Sequence, residues 1–175
     1  MSLSLYDVSV PVFRQYLAAL SGVLEKAQVR VASGALAEAD VIGFRLFEDM
    51  QPFSFQVAQT VNHGAGAVAS LRGESYPRAQ GLETFAACKA AVDAAVAYLD
   101  GVQPGDIAID QDADVVLANP RGSMTFTARN YLLTFAYGQF FFHATTAYDI
   151  LRHKGVEIGK RDFLGATQVK ARTQA

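Results

Sequence analysis

Histidines and the polar side chains that could reach them are the first candidates for chemistry in this chain. Of the three histidines, His143 lies in the long, mostly apolar run from Tyr131 to Ile150. An imidazole changes charge near neutral pH, and it can bind a metal or accept a proton. A lone histidine among apolar residues is also common as a hydrogen-bonded core side chain, so both interpretations remain open.

Few other side chains are placed to complete a metal site around His143. Gln139 lies one helical turn before it and is a poor ligand for zinc. His63, on an earlier segment, is predicted to lie off the core face of its helix. A catalytic zinc site uses about three protein ligands and an open position. The sequence therefore offers His143 as one good metal ligand and His63 as a much weaker one.

A pocket for a small molecule does not need a complete set of metal-coordinating side chains, and it is the second interpretation of the same residues. Its side chains would come from the last long helix and from the flank of an earlier one, where they supply amide and hydroxyl groups. The candidate ligand-binding residues are Gln56, Thr60, Gln139 and Tyr148, with Tyr137 as a further source of a hydroxyl. No catalytic residue is assigned, and the sequence leaves open whether the chain is an enzyme.

Other reactive groups have simpler explanations. Cys88 lies on the apolar stripe of a predicted helix and is interpreted as a buried thiol. The aspartates from Asp106 to Asp114 lack the glycine and terminal glutamate of a calcium loop, and no phosphate-binding loop follows the glycines near Gly64. Lys160 to Asp162 are interpreted as a surface turn.

Four segments are predicted to be helices, because their apolar residues recur at intervals of three and four. They cover about residues 6–27, 52–71, 84–100 and 131–154. The last one is apolar almost all round, which indicates central burial or an interface. Its predicted core stripe is Leu133, Ala136, Phe140, His143, Ala147 and Ile150.

A β-hairpin is predicted from about Val115 to Thr127, around the turn Asn119-Pro120-Arg121-Gly122. It lies in the long connection between the third and fourth helices. The predicted fold class is therefore all-α, an up-down four-helix bundle with a short β-hairpin in that connection. We expect a single domain over residues 1–175.

Composition excludes several classes of function. The chain has 15 basic and 17 acidic residues, so it has no excess positive charge for binding nucleic acid. Cys88 is the single cysteine, which excludes an intramolecular disulfide, and the first residues do not have the pattern of a signal peptide. Polar residues interrupt the long apolar run, so a membrane span is not expected. We predict a cytoplasmic protein.

Three segments carry a resemblance to a known superfamily: SLYDVSVPVF at the start, EDMQPFSFQV in the middle and FFHATTAYDILRHKGVEIGKRDFLG at the end. Together they resemble the DinB-like superfamily of four-helix bundles. They are most similar to its branch named domain-of-unknown-function family nineteen ninety-three.

The resemblance places His143 at a recurrent position of the superfamily. Its last helix often carries H-x-x-x-H, then R-G-Q, then a Leu-Arg pair before a glycine. His143 falls on the second histidine, and the later positions fall on Leu151, Arg152 and Gly155. Gln139 stands where the first histidine would be, and the third histidine has no clean counterpart. Members with all three histidines bind a divalent metal, and several are thiol-dependent transferases or isomerases.

Two hypotheses for function follow. In the first, the chain is a DinB-like bundle that binds a ligand, or a metal at a degenerate site on His143. In the second, it is a non-catalytic homodimer with an aromatic interface on the fourth helix, and His143 is structural. Two alternatives for the cofactor stay open: a divalent metal, either zinc or nickel, or no cofactor. The missing metal ligands favour no cofactor. The resemblance itself implies the fold and homodimerisation.

Overall fold

The described part of the chain is predominantly helical, with one small antiparallel sheet. The computed structural model describes residues 3–119 and 122–170. In chain order the elements are α1 (Val10–Ala32), α2 (Ala39–Ile42), α3 (Phe53–Leu71), α4 (Phe85–Gly101), a 3₁₀ turn (Pro104–Asp106), β1 (Asp114–Asn119), β2 (Gly122–Thr127), α5 (Ala128–Asn130), a π-helical segment (Tyr131–Ala136), α6 (Tyr137–His153) and α7 (Lys160–Leu164).

The long helices pack against one another around an apolar core. α1 lies along α4, and α3 lies along both α6 and α4, while the short α7 docks on α1. Burial of these side chains is the main favourable contribution to folding. The largest fully buried ones include Phe13, Leu17, Leu24, Phe53, Phe85, Leu132, Phe140 and Ile150. None of the described helices combines the length and apolar character that crossing a bilayer requires.

The helix ends follow the signals in the sequence to within a few residues. Pro52 immediately precedes α3, and the Thr84 hydroxyl caps α4 by accepting a hydrogen bond from the Ala87 amide at 3.0 Å. Gly155 has a φ of 80°, which ends α6 and lets the Val156 amide donate to the Leu151 carbonyl at 3.0 Å.

Gly64 allows three of the long helices to approach closely. A Cβ atom at this position would lie 3.0 Å from Phe140 Cε2 on α6 and 3.1 Å from Leu17 Cδ1 on α1. Gly66, two residues later, has no atom within 4 Å of the same hypothetical Cβ. Of these two glycines, only Gly64 is therefore required by the close approach of the neighbouring helices.

A small two-stranded antiparallel sheet forms between Asp114 and Thr127. β1 and β2 pair antiparallel, with Asp114 opposite Thr127 and Asn119 opposite Gly122. Pro120 and Arg121, the centre of the predicted turn, lie outside the described residues. The Thr127 hydroxyl then accepts a hydrogen bond from the Asn130 amide at 3.2 Å, which starts the last helical region directly after the hairpin.

The π-helical segment changes which residues face the core at the start of that region. The prediction that Leu133 faces the core is wrong, because its exposed fraction is 47%, whereas Leu132 is fully buried and Tyr131 is 4% exposed. A π-helical turn holds one more residue than an α-helical turn and so shifts the apolar stripe along the chain. Downstream residues from Ala136 to Ile150 keep the predicted core positions.

Candidate functional site

His143 is held by a side-chain amide from α3. Its Nδ1 atom lies 2.7 Å from Gln56 Oε1, and Gln56 Nε2 donates to the Gln51 carbonyl at 2.8 Å. Because the amide nitrogen is used by Gln51, the amide oxygen faces His143 and must accept the hydrogen bond. Nδ1 of His143 therefore carries the proton, and Nε2 is left with a free lone pair.

The free nitrogen of His143 can be reached from outside. The side chain is 9% exposed, and Nε2 has no hydrogen-bond partner in the described part of the chain. Arg30 Nε is the one side-chain nitrogen or oxygen in that part that is fully buried and unpartnered. Nε2 is therefore in contact with solvent and can accept a hydrogen bond from a ligand.

His63 lies beside His143, which the sequence did not indicate. The two imidazole rings are parallel, with centroids 5.9 Å apart and an interplanar angle of 5°. His63 is half-buried and is not among the buried residues of α3, which agrees with its predicted position off the core face. α3 packs against α6, α4 and α1, so the flank of this helix is covered as well as its apolar face.

Both imidazoles are neutral at pH 7. Burial, and then the neighbouring charges of His143 and Arg78, lower the pKa of His63 to about 4. Burial alone lowers the pKa of His143. Removing an imidazole from water disfavours its charged form, so the pair offers uncharged nitrogen atoms.

Two partly exposed aromatic rings lie next to His143. The centroids of the Phe55 and Phe142 rings lie 5.9 Å and 5.2 Å from that of His143, in edge-to-face geometry. Both phenylalanines also reach solvent, with exposed fractions of 36% and 57%. Phe55 was not among the predicted site residues, since nothing in its spacing distinguishes it from a core phenylalanine.

The remaining predicted site residues are placed differently. Thr60 is fully buried, and its hydroxyl donates to the Gln56 carbonyl at 2.9 Å, so it supports the helix. Gln139 is half-buried, one turn before His143. Tyr148 packs against Phe163 with ring centroids 5.6 Å apart, on the side of α6 that faces α1 and α7. The structure thus brings together Gln56, His63 and His143.

The donor atoms of this site do not fit the divalent metal of the superfamily. Within residues 3–119 and 122–170, no three His, Cys, Asp or Glu side chains lie close enough together to hold a metal ion. His143 and His63 are two imidazoles, fewer than the roughly three ligands of a catalytic zinc site. Cys88 supplies no thiolate, because it is fully buried and burial raises its pKa to about 12.

Comparisons with known proteins agree with the fold. The family described as a domain of unknown function, DUF1993, matches residues 5–164. A crystal structure of a DinB family member from Shewanella denitrificans is 30% identical, with a TM-score of 0.84 over 96% of each chain. No curated protein matches the chain. The resemblance noted in the sequence is thereby confirmed, and the chain belongs to the DUF1993 family, a branch of the DinB-like superfamily.

Proposed function

We propose that this DUF1993 protein binds a small organic molecule at Nε2 of His143. The observation that carries the proposal is the hydrogen bond from His143 to Gln56, which fixes the tautomer with an open, accessible nitrogen. Because Nε2 reaches solvent, water can satisfy it in the free protein, and a ligand that donates an N–H or O–H can replace that water. An unused and reachable nitrogen points to a ligand.

The surroundings of Nε2 define the class of ligand. A lone pair requires an N–H or O–H donor, and the rings of Phe55 and Phe142 favour a flat, mainly apolar partner. Both imidazoles are uncharged, so neither provides a positive charge that would select an anionic ligand. The ligand class that fits is a phenol, an azole or a similar ring that carries one donor.

Binding is better supported than catalysis by His143. A histidine that acts as a general base is usually paired with a carboxylate, which stabilises the charged ring after it takes a proton. Gln56 is a neutral amide and offers no such stabilisation. The wider proposal places this binding site in an up-down four-helix bundle of the DinB type, in a cytoplasmic protein.

Nitrogen NMR of the histidine rings tests the proposal. In the native protein we expect His143 to carry its proton on Nδ1, and a titration with phenol should shift the Nε2 resonance in a saturable way. His143→Gln should abolish phenol binding, and Gln56→Leu should weaken it by about tenfold through loss of the fixed tautomer. His153→Gln, on the surface beside Phe44, is the matched control and should leave binding unchanged.

Two results would contradict the proposal. One is a proton on Nε2 in the native protein, because that nitrogen could then not accept a hydrogen bond. The other is equal phenol binding by the native protein and His143→Gln, with both folded by circular dichroism.

Metal content tests the metal-dependent version of the same hypothesis. The protein would be purified without chelator or nickel resin, alongside His143→Ala. Near-stoichiometric zinc, nickel or iron that disappears in the variant would establish metal binding despite the missing third ligand. We expect neither protein to hold stoichiometric metal, because two imidazoles alone bind weakly.

A second candidate function is a non-catalytic homodimer that uses the outer face of the last helical region. Phe142 and Leu133 are 57% and 47% exposed, although large apolar side chains are usually covered. In that case His143 would be a structural partner of Gln56 near the interface. The oligomeric state distinguishes this candidate, and its test is given in the Discussion.

A further inference from the structure

A pocket of about 570 Å³ opens at the N-terminus of α3 and is distinct from the His143 site. Its walls come from the first turns of α3, from the connector that precedes it and from the loop at residues 78–83. Neither His143 nor Gln56 lines it, but Phe55 and Gln51, whose carbonyl holds the Gln56 amide, border both sites. Its volume is in the range of small-molecule sites.

The first turn of α3 presents open backbone donors to this pocket. The Phe53 amide donates to the Phe44 carbonyl at 2.9 Å, and the Gln56 amide donates to the Pro52 carbonyl at 3.1 Å. Between them, the N–H groups of Ser54 and Phe55 have no partner in the described part of the chain, and Pro52 has no side-chain group to cap them. The helix has 19 residues, so its N-terminus carries a partial positive charge.

Gln59 is a buried side chain with no hydrogen-bond partner among the residues that the structure describes. It is 8% exposed, it lines the pocket, and its amide makes no hydrogen bond within the described residues. Because its polar atoms are not among the fully buried ones, they reach the pocket space. A ligand that accepts a hydrogen bond would satisfy the amide.

Two arginines add full positive charge to the same walls. Arg45 and Arg78 both line the pocket, and neither forms an ion pair within residues 3–119 and 122–170. Among the described residues that form the walls, Glu83 is the single carboxylate. The net charge is therefore positive, and guanidinium groups are well shaped to hold a carboxylate or a phosphate by paired hydrogen bonds.

We infer that this pocket binds the phosphate or carboxylate group of a small molecule, held by the Ser54 and Phe55 amides, the Gln59 side chain, Arg45 and Arg78. Helix N-termini bind such groups through their open N–H donors. The inference does not depend on the function of His143, since the residues that hold the anion are separate from it.

Amide NMR with two small anions tests this site in the whole chain. Inorganic phosphate and acetate would be titrated separately at constant ionic strength, and the amides of Ser54 and Phe55 followed. We expect saturable downfield shifts of these two amides with at least one anion. The anion that binds more tightly identifies the group that the pocket selects.

Three variants distinguish specific anion binding in this pocket from nonspecific attraction of anions to a positively charged surface. Arg78→Gln, at an exposed position, should weaken anion binding by about tenfold, because a charged hydrogen bond is lost. Gln59→Met keeps the volume and should also weaken it. Arg161→Gln removes the same charge from α7, away from the pocket, and should leave binding unchanged. The inference fails if neither anion shifts the two amides saturably, or if Arg161→Gln weakens binding as much as Arg78→Gln.

Discussion

His63 takes up a proton less readily in the folded protein than in the unfolded chain. Its pKa is about 4 when folded, against an ordinary value of 6.5. Between these two values the unfolded state binds more protons, so lowering the pH favours unfolding. The free energy of unfolding should fall as the pH drops from about 6.5 to about 4, by on the order of 2–3 kcal/mol from this group. Below about pH 4 this group contributes no further loss.

Denaturant unfolding of the native protein and His63→Gln across that pH range measures the effect. Carboxylates titrate in both proteins, so their contribution cancels in the difference. We expect the variant to lose less stability than the native protein as the pH falls. Equal losses in the two proteins would show that the folded protein does not lower the pKa of His63.

At the level of single residues, the sequence predicted which side chains belong to the site better than it predicted the contacts between them. It placed His143 in the core, because helical periodicity indicates which residues face inward, and it named Gln56 on the flank of an earlier helix as a candidate neighbour. It did not indicate that Gln56 fixes the tautomer, since that depends on the Gln51 carbonyl holding the other end of the amide. The proximity of His63 to His143 depends on how α3 packs against the neighbouring helices. The apolar pattern of one helix does not specify that packing.

Gly64 and Gly66 provide a matched pair of substitutions within one helix. At Gly66 nothing lies within 4 Å of a new Cβ, so Gly66→Ala should stabilise the protein by about 0.5–1 kcal/mol through its helix propensity. At Gly64 the new Cβ would press on Phe140 and Leu17. Crowding of a packed core costs about 1–3 kcal/mol, which exceeds the gain in propensity, so Gly64→Ala should be destabilising.

Urea unfolding of both variants gives the difference directly, since each gains the same methyl group on the same helix. The expected order of stability is Gly66→Ala, then the native protein, then Gly64→Ala. Equal stabilisation by both variants would mean that α1 and α6 can move away from Gly64 without loss of packing.

The helices themselves were predictable because each has its own periodic apolar stripe and end signals such as Pro52 and Gly155. The π-helical segment could not be predicted from the sequence. Leu132 and Leu133 are the same residue type, so the sequence pattern cannot distinguish which of them faces the core. The extra residue in the turn decides it, and the result is that Leu132 is buried and Leu133 is exposed.

On the scale of the whole molecule, the two proposed sites share one side chain. Phe55 packs edge-on against His143 and also lines the pocket at the start of α3. A ligand with an anionic group in the pocket and a ring near Phe55 could therefore affect both sites. The pocket at the start of α3 was not visible in the sequence, because Arg45, Gln59 and Arg78 come from three separate segments that only the packed fold brings together.

Homodimerisation is the remaining expectation at this scale, and the exposed face of the last helical region is where it can be tested. If Phe142 lies in a self-complementary interface, Phe142→Glu would place a charge against its own copy and should convert a dimer to a monomer. Val29→Glu is the control, because Val29 is 64% exposed on α1. Sedimentation at micromolar concentration gives the mass of each protein.

We expect a dimeric mass for the native protein and Val29→Glu and a monomeric mass for Phe142→Glu. A monomeric native protein would contradict the homodimer and leave Phe142 available to a ligand. The two functions also make opposite predictions for phenol, because an interface over Phe142 would cover the approach to His143. Phenol should then bind Phe142→Glu more readily than the dimer, whereas in a monomer the same substitution removes one aromatic wall and should weaken binding.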